Sequence, residues 1–265
     1  MEMLNGLDLF SGIGGLAVAL HPWVRVRTYC EVDRYCQAIL MSRMAEQTLR
    51  DAPIWDDVRS LRGDMCGHID IVFGGFPCQD ISIAGNGVGL DGKRSGLYFE
   101  LLRLVQEISP RFVFLENVPA IRTRGLRQVV GTLAELGYDC RWTTISAGDV
   151  GAPHKRLRWF LLASNTNGSK LRNKHEPRSE SETGTGFNGK KEPVANADNK
   201  RQDTIRKIQT RKNHESFRTD WWEVEPDVGR VADGVPARVD RLRGLGNAVV
   251  PAQARQAFKT LIGLK

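Results

Sequence analysis

Cys78 and Glu116 are the two side chains in this sequence best placed to do covalent chemistry. Cys78 follows Ile71-Val-Phe-Gly-Gly-Phe-Pro77, an apolar strand that ends in two glycines, a phenylalanine and a proline. The proline fixes its own φ and holds Phe76 extended, so the thiol is expected at the strand's carboxyl end with little freedom. In an open α/β sheet that end is where ligands bind. A cysteine outside such a setting is usually a small buried hydrophobe. Glu116 closes a second apolar run, Phe112-Val-Phe-Leu115, and Asn117 and Pro119 after it are expected to stiffen its loop. If the two strands are neighbours, a thiol and a carboxyl face one pocket. Covalent catalysis with proton transfer needs that pair.

Two further groups could serve them. Gly12-x-Gly14-x-x-Ala17 opens a helix after a strand-like Met3–Phe10. Glu31 stands about twenty residues beyond, where a ribose-binding acid belongs. This pattern fits NAD, FAD or S-adenosylmethionine, each of which carries an adenosine; it also fits a tight turn with no ligand. Asp57 either accepts a hydrogen bond from an adenine amino group or caps a helix. In His154-Lys-Arg156-Leu-Arg158 the basic residues alternate, so His154, Arg156 and Arg158 are expected on one face of an emerging strand. Such a face grips phosphates or a base carbonyl, or it is simply a basic surface.

The elements that must position these groups alternate between strand and helix. Strands are expected at Met3–Phe10, Val24–Cys30, Ile69–Gly75, Phe112–Leu115, Tyr138–Ser146 and Leu157–Ala163, and Ile54 to Val58 is read as a short third strand and its exit turn. Helices are expected at Leu16–Leu20, Arg34–Leu49, Leu97–Ile108 and Leu126–Leu136, with a last one ending near Leu261. The alternation predicts a mostly parallel sheet covered on both faces. Gly85 to Gly96 is read as a mobile loop.

Composition sets bounds on function. The 265 residues carry a net charge of +7, which suggests a polyanionic partner. Much of the excess lies between Asn165 and Asp220, with 13 Lys and Arg against 8 Asp and Glu. That interval has only eight apolar residues in fifty-six, the composition of a solvated insert. Five cysteines without a C-x-x-C pair predict reduced thiols in a cytosolic setting and no structural zinc. Neither a membrane span nor a secretory leader is expected.

Taken together, the motifs resemble those of the cytosine-5 DNA methyltransferases. Asp8-Leu-Phe-Ser-Gly-Ile-Gly-Gly15 is similar to that family's opening cofactor motif, and Gly75-Phe-Pro-Cys-Gln79 to its nucleophile motif. Glu116-Asn-Val118 resembles the catalytic acid motif, and His154-x-Arg156-x-Arg158 its usual Gln-x-Arg-x-Arg. Gly246-Asn247-Ala-Val249 is similar to the last motif, which folds back beside the first. Order and spacing agree over about 1–163 and 221–265.

The resemblance implies a Rossmann-like α/β fold that uses S-adenosylmethionine. It divides the chain into a catalytic and cofactor-binding domain at 1–164, a short basic target-recognition region at 165–220, and a returning segment at 221–265. Cofactor contacts are implied for Phe10, Ser11, Gly12, Gly14, Gly15, Glu31, Val32, Asp57, Val58, Pro77, Leu97, Asn247 and Ala248. Cys78 would add to C6 of cytosine, making C5 nucleophilic, while Glu116 protonates or hydrogen-bonds N3. For that, its carboxyl must be held partly protonated by a dry pocket. Arg158 would bind the base O2, and Arg156 would orient Cys78 and nearby phosphate. Because C6 is inaccessible inside a duplex, the base must be flipped out, with the 85–96 loop closing over it. The implied partner is double-stranded DNA, with no metal and no membrane. The setting is the cytoplasm of a bacterial or phage-infected cell, where a monomer is expected.

Two departures from the family pattern stand out. His154 occupies the usual glutamine position. The 165–220 interval is short, apolar-poor and without the Thr-Leu pair of recognition domains, so it either orders on DNA or is a remnant. Two other classes share parts of the pattern: a transfer-RNA cytosine-5 methyltransferase, and a non-catalytic nucleic-acid-binding homologue. The Pro-Cys-Gln form favours DNA over the first, and the retained Cys78 disfavours the second.

Overall fold

The computed structural model of this chain describes residues 2–77, 96–166 and 248–264. Cys78, Gly85 to Ser95 of the expected loop, the insert beyond Thr166, and the 221–247 stretch with Asn247 lie outside the described residues.

Seven strands form one sheet: β1 (Leu4–Leu9), β2 (Val24–Cys30), β3 (Ile54–Trp55), β4 (Ile71–Gly75), β5 (Phe112–Asn117), β6 (Tyr138–Ser146) and β7 (Leu157–Asn165). Their order is β3-β2-β1-β4-β5-β7-β6, and β7 alone runs opposite to the other six. The sheet is mostly parallel, as expected. The chain order reverses between β1 and β4, which makes the crevice at their carboxyl ends the natural ligand site. The glycine turn leaves one of these strands and the Pro77-Cys78 motif leaves the other.

Among the described residues, six α-helices accompany the sheet: α1 (Gly15–Leu20), α2 (Arg34–Ala45), α3 (Gly96–Ile108), α4 (Ile121–Arg124), α5 (Leu126–Glu135) and α6 (Pro251–Ile262). On one face, Leu7, Leu9, Val72 and Val113 pack with Leu101, Val105, Val129 and Leu133 of α3 and α5. On the other, Tyr29, Phe73, Phe114 and Phe160 pack with Leu16, Leu40 and Phe258 of α1, α2 and α6. Burial on both faces explains why the central strands read as continuous apolar runs rather than as alternations.

α6 brings the end of the chain back onto the sheet. Pro251 starts it, and Gly263 stops it at φ +82°, a conformation that costs glycine little. Ala254, Ala257, Phe258 and Leu261 form its buried stripe, with the Phe258 ring edge-on to Phe114 at 5.3 Å. The buried Gln253 amide donates to the carbonyls of Ile145 and Arg156, joining β6 to the segment that enters β7.

Several boundaries differ from expectation. α2 stops at Ala45 rather than Leu49, because Gln47 turns out of the helix at φ +62°. β3, in contrast, follows expectation: it is a short strand of two residues, and Val58 lies in the turn that Asp57 begins beyond it. β7 begins only at Leu157, so His154 is an exposed bend residue rather than a strand neighbour of Arg156 and Arg158.

Close approach at the switch point makes a stability prediction. A methyl at Gly74 would overlap the Leu9 carbonyl oxygen on β1, a backbone atom that cannot swing aside. Gly74→Ala is therefore expected to destabilise the fold by about 3 kcal/mol or more, the upper range for overpacking. Thermal or urea unfolding reads this directly; a change under about 0.5 kcal/mol, the surface-substitution scale, would contradict it.

Candidate active site

Glu116 is built into the sheet rather than hung from a loop. It is the second-last residue of β5 and pairs in register with Gly75 at the end of β4. Only 9% of the residue is exposed. Arg158, near the start of β7, reaches it with Nε 2.9 Å from Oε1. Burial is the larger influence and raises the carboxyl to about 7, against the opposing pull of the Arg158 and Arg156 charges. Near neutral pH this group can therefore both hold and release a proton.

Gly75 makes room for that carboxyl. A side chain there would place its first carbon 2.7 Å from Glu116 Oε2. The sequence does not reveal this requirement, because the clash lies across strands and involves a residue forty-one positions away. The next residue, Asn117, does what its place after Glu116 suggested. Its side-chain amide donates to the Phe76 carbonyl at 2.9 Å, and its Oδ1 accepts from the Val118 N–H at 2.8 Å. The acid strand is thus tied to the backbone two residues ahead of Cys78. Pro77 is described and exposed; Cys78 follows it outside the described residues.

Four other cysteines, Cys30, Cys36, Cys66 and Cys140, stand among the described residues in no disulfide. Burial pushes Cys30 up to about 12 and Cys140 to about 11, and raises Cys66 as well. A thiolate is the reactive form, so these three are poor nucleophiles.

Arg156 and Arg158 turn inward to different partners. Arg158 takes Glu116, while Arg156 donates from Nη2 to the Ala248 carbonyl at 2.7 Å. The next residue, Val249, meets the glycine turn, since a side chain on Gly15 would lie 2.9 Å from it. The segment before α6 is therefore in contact with both the glycine turn and Arg156.

The turn after β1 is shaped as a cradle. Phe10 sits at φ +55°, a strained choice for a bulky residue, and Gly12 and Gly14 follow at φ +53° and +84°. Among the described residues, nothing lies within 4 Å of the missing side chain of Gly12. Glu31 accepts from the Gly12 N–H at 2.7 Å and the Asp33 N–H at 2.8 Å, pinning the turn to the end of β2. Val32 beside it is 71% exposed, an apolar side chain with nothing over it among the described residues. Phe10 and Leu97 are partly buried against the same cluster that contains Val58.

Other expected contacts are already occupied. The Ser11 hydroxyl donates to the Asp8 carbonyl at 2.9 Å and accepts from the Cys30 N–H at 3.2 Å, stitching β1 to β2. Asp57 accepts from the Arg59 N–H at 2.9 Å, so one of its oxygens caps a turn. Asp8 was legible only as a motif letter. Its side chain is fully buried, neither carboxyl oxygen has a hydrogen-bond partner among the described residues, and burial followed by the Glu31 charge raises it well above its usual range.

The sheet reverses its chain order between β1, which carries the glycine turn, and β4, which pairs with the strand of the buried acid, the layout of a Rossmann-like α/β fold. The family model for C-5 cytosine-specific DNA methylase matches residues 4–236, and the chain belongs to that family. It is 36% identical over 159 residues to the type II methyltransferase M.CviJI of Paramecium bursaria Chlorella virus IL3A, covering 59% of this chain and 42% of that protein. With M.HhaI of Haemophilus parahaemolyticus it shares 33% over 164 residues, covering 60% and 48%. The chain thus spans about half or less of these relatives' length. Among solved structures, a DNA modification methyltransferase encoded within an E. coli prophage superposes with TM-score 0.50 at 30% identity, covering 63% and 48% of the two chains. Spodoptera frugiperda DNMT2 superposes with TM-score 0.52 at 18% identity, covering 62% and 50%, which supports the fold.

Proposed function

We propose that the protein is a DNA (cytosine-5-)-methyltransferase acting on a cytosine flipped out of double-stranded DNA. The observation that carries this reading is Glu116, a buried carboxyl held near neutrality and tied through Asn117 to the backbone leading into Cys78. C5 of cytosine is too weak a nucleophile to take a methyl group unaided. Addition of the Cys78 thiolate to C6 makes C5 enamine-like, and the negative charge that develops on the ring is absorbed where Glu116 gives its proton to N3. Arg158 holds the carboxyl by one oxygen, which leaves Oε2 for the base. Arg158 also lies within reach of the base O2 in this reading, and Arg156 braces the returning segment.

The proposed cofactor is S-adenosylmethionine, and the residues fit it. Space over Gly12, the Glu31 carboxylate, the uncovered Val32 and the unsatisfied Asp8 carboxyl suit an adenosine-bearing group that also brings hydrogen-bond donors. When bound it supplies an electrophilic methyl on a sulfonium. Phe10, Gly14, Gly15, Pro77, Leu97 and Ala248 complete the proposed cradle. Glu31→Ala is expected to weaken S-adenosylmethionine binding by roughly 1.5–3 kcal/mol, the range for a charge-assisted hydrogen bond. Calorimetry checks this, and equal affinity in the variant would remove Glu31 from the site.

The domain division at 1–164, 165–220 and 221–265 belongs to the same proposal, with the basic insert contacting DNA. Among the described residues, no helix is long and apolar enough to cross a membrane, and no cluster of His, Cys, Asp and Glu could hold a metal. The test is bisulfite sequencing of DNA from cells expressing the protein. Protected cytosines in one recurring context, absent with Cys78→Ser, are expected. Protection confined to RNA from the same cells would overturn the reading.

A further inference from the structure

The geometry points to a phosphate-binding surface on the catalytic domain itself, formed by Arg122, Arg124, Arg127 and Lys155, that takes the DNA backbone beside the flipped base. This rests on the proposed activity and names the surface through which the same site meets its substrate.

Topology places these residues together. β5 and β7 are antiparallel, with Asn117 opposite Trp159, so the chain leaving β5 and the chain entering β7 emerge at one edge of the sheet. Glu116 lies at that edge. The departing segment carries Arg122 and Arg124 on α4 and Arg127 at the start of α5, and the arriving segment carries Lys155. Residues 118–134 contain no Asp or Glu, and neither do residues 150–158.

Burial and pairing then separate two kinds of cation. Arg156 and Arg158 are partly buried and turned inward to Ala248 and Glu116. Arg122, Arg124, Arg127 and Lys155 are exposed, and none forms an ion pair among the described residues. Some arginines elsewhere are neutralised locally, Arg62 by Asp64 at 2.8 Å and Arg103 by Glu100 and Glu107 at 2.7 Å. Arg25 and Arg27 on β2 are exposed and form no ion pair among the described residues, but they lie far from Glu116. Four unneutralised cations in an acid-free region next to the catalytic acid suit a regularly charged polyanion. A phosphate on either side of an extruded nucleotide must pass this edge if the base is to reach Glu116.

The test compares two variants of the full chain with equal charge loss: Arg122→Gln with Arg124→Gln, and Arg25→Gln with Arg27→Gln. Arg25 and Arg27 are exposed on β2, three strands away from β5. Duplex DNA affinity is measured between 50 and 200 mM salt, with S-adenosylmethionine affinity alongside. Each lost phosphate contact reduces the slope of log affinity against log salt by about 0.9. The Arg122/Arg124 variant should therefore lose about tenfold less affinity across that range than wild type. The Arg25/Arg27 variant should follow wild type, and cofactor affinity should hold in both. Equal slopes in all three proteins, or equal reductions in the two variants, would overturn the proposed surface while leaving the activity standing. A wild-type protein that fails to bind duplex DNA at all would overturn the activity as well.

Discussion

Cys78→Ser is expected to reduce methyl transfer to duplex DNA by about 10³-fold or more while leaving S-adenosylmethionine binding nearly unchanged. A serine hydroxyl is far less acidic than a thiol and needs a dedicated base to become a nucleophile. Glu116, the buried carboxyl near the end of β5, already has its state defined by burial and by Arg158. Cys30, Cys66 and the half-buried Cys140 cannot substitute, because desolvation disfavours their thiolates. Single-turnover transfer with radiolabelled methyl donor measures the loss. A variant within tenfold of wild type would exclude Cys78 as nucleophile.

Glu116→Gln is the second large effect, expected at roughly 10²–10⁴-fold, the usual contribution of a positioned acid or base. An amide can still donate to N3 but cannot transfer a proton to it. The pH profile separates this from a packing defect. Burial raises Glu116 to about 7, so its protonated form dominates below that pH and is lost as pH rises through it. If that proton is used, kcat/KM in wild type carries a descending limb near pH 7, since this parameter reports groups of the free enzyme. The Glu116→Gln protein should lack that limb while retaining cofactor affinity. A limb that persists in the variant would assign the titration to another group.

Much of this site could be read from the sequence because its residues sit at strand ends, where glycine, proline and a following polar residue mark the boundary. Gly12 and Gly14, Pro77, and the Glu116-Asn117 step are of this kind. The sheet was legible for a related reason: strands buried on both faces appear as unbroken apolar runs, as in Ile71-Val-Phe and Phe112-Val-Phe-Leu. What escaped depends on partners distant in sequence. Gly75 is required by Glu116 across the ladder, Arg156 and Arg158 part ways because one meets Ala248 and the other Glu116, and the orphaned Asp8 follows from burial between β2 and β4. The alternation rule put His154 with the two arginines, but it applies only within a strand, and β7 starts at Leu157. Helix α4 was missed because four residues are too few to show a period.

The central claim is a covalent bond between Cys78 and C6 of the target cytosine, and 5-fluorocytosine tests it most directly. Once C5 carries both fluorine and the transferred methyl, no proton remains there to be removed, and the thiolate cannot leave. DNA from cells in which the protein is active, resynthesised with 5-fluorocytosine at the methylated positions, should give a complex that survives denaturing electrophoresis. Its formation should require S-adenosylmethionine, and peptide mass spectrometry should place the nucleotide on Cys78. An adduct that persists in Cys78→Ser, or that maps to Cys30, Cys36, Cys66 or Cys140, would contradict the mechanism.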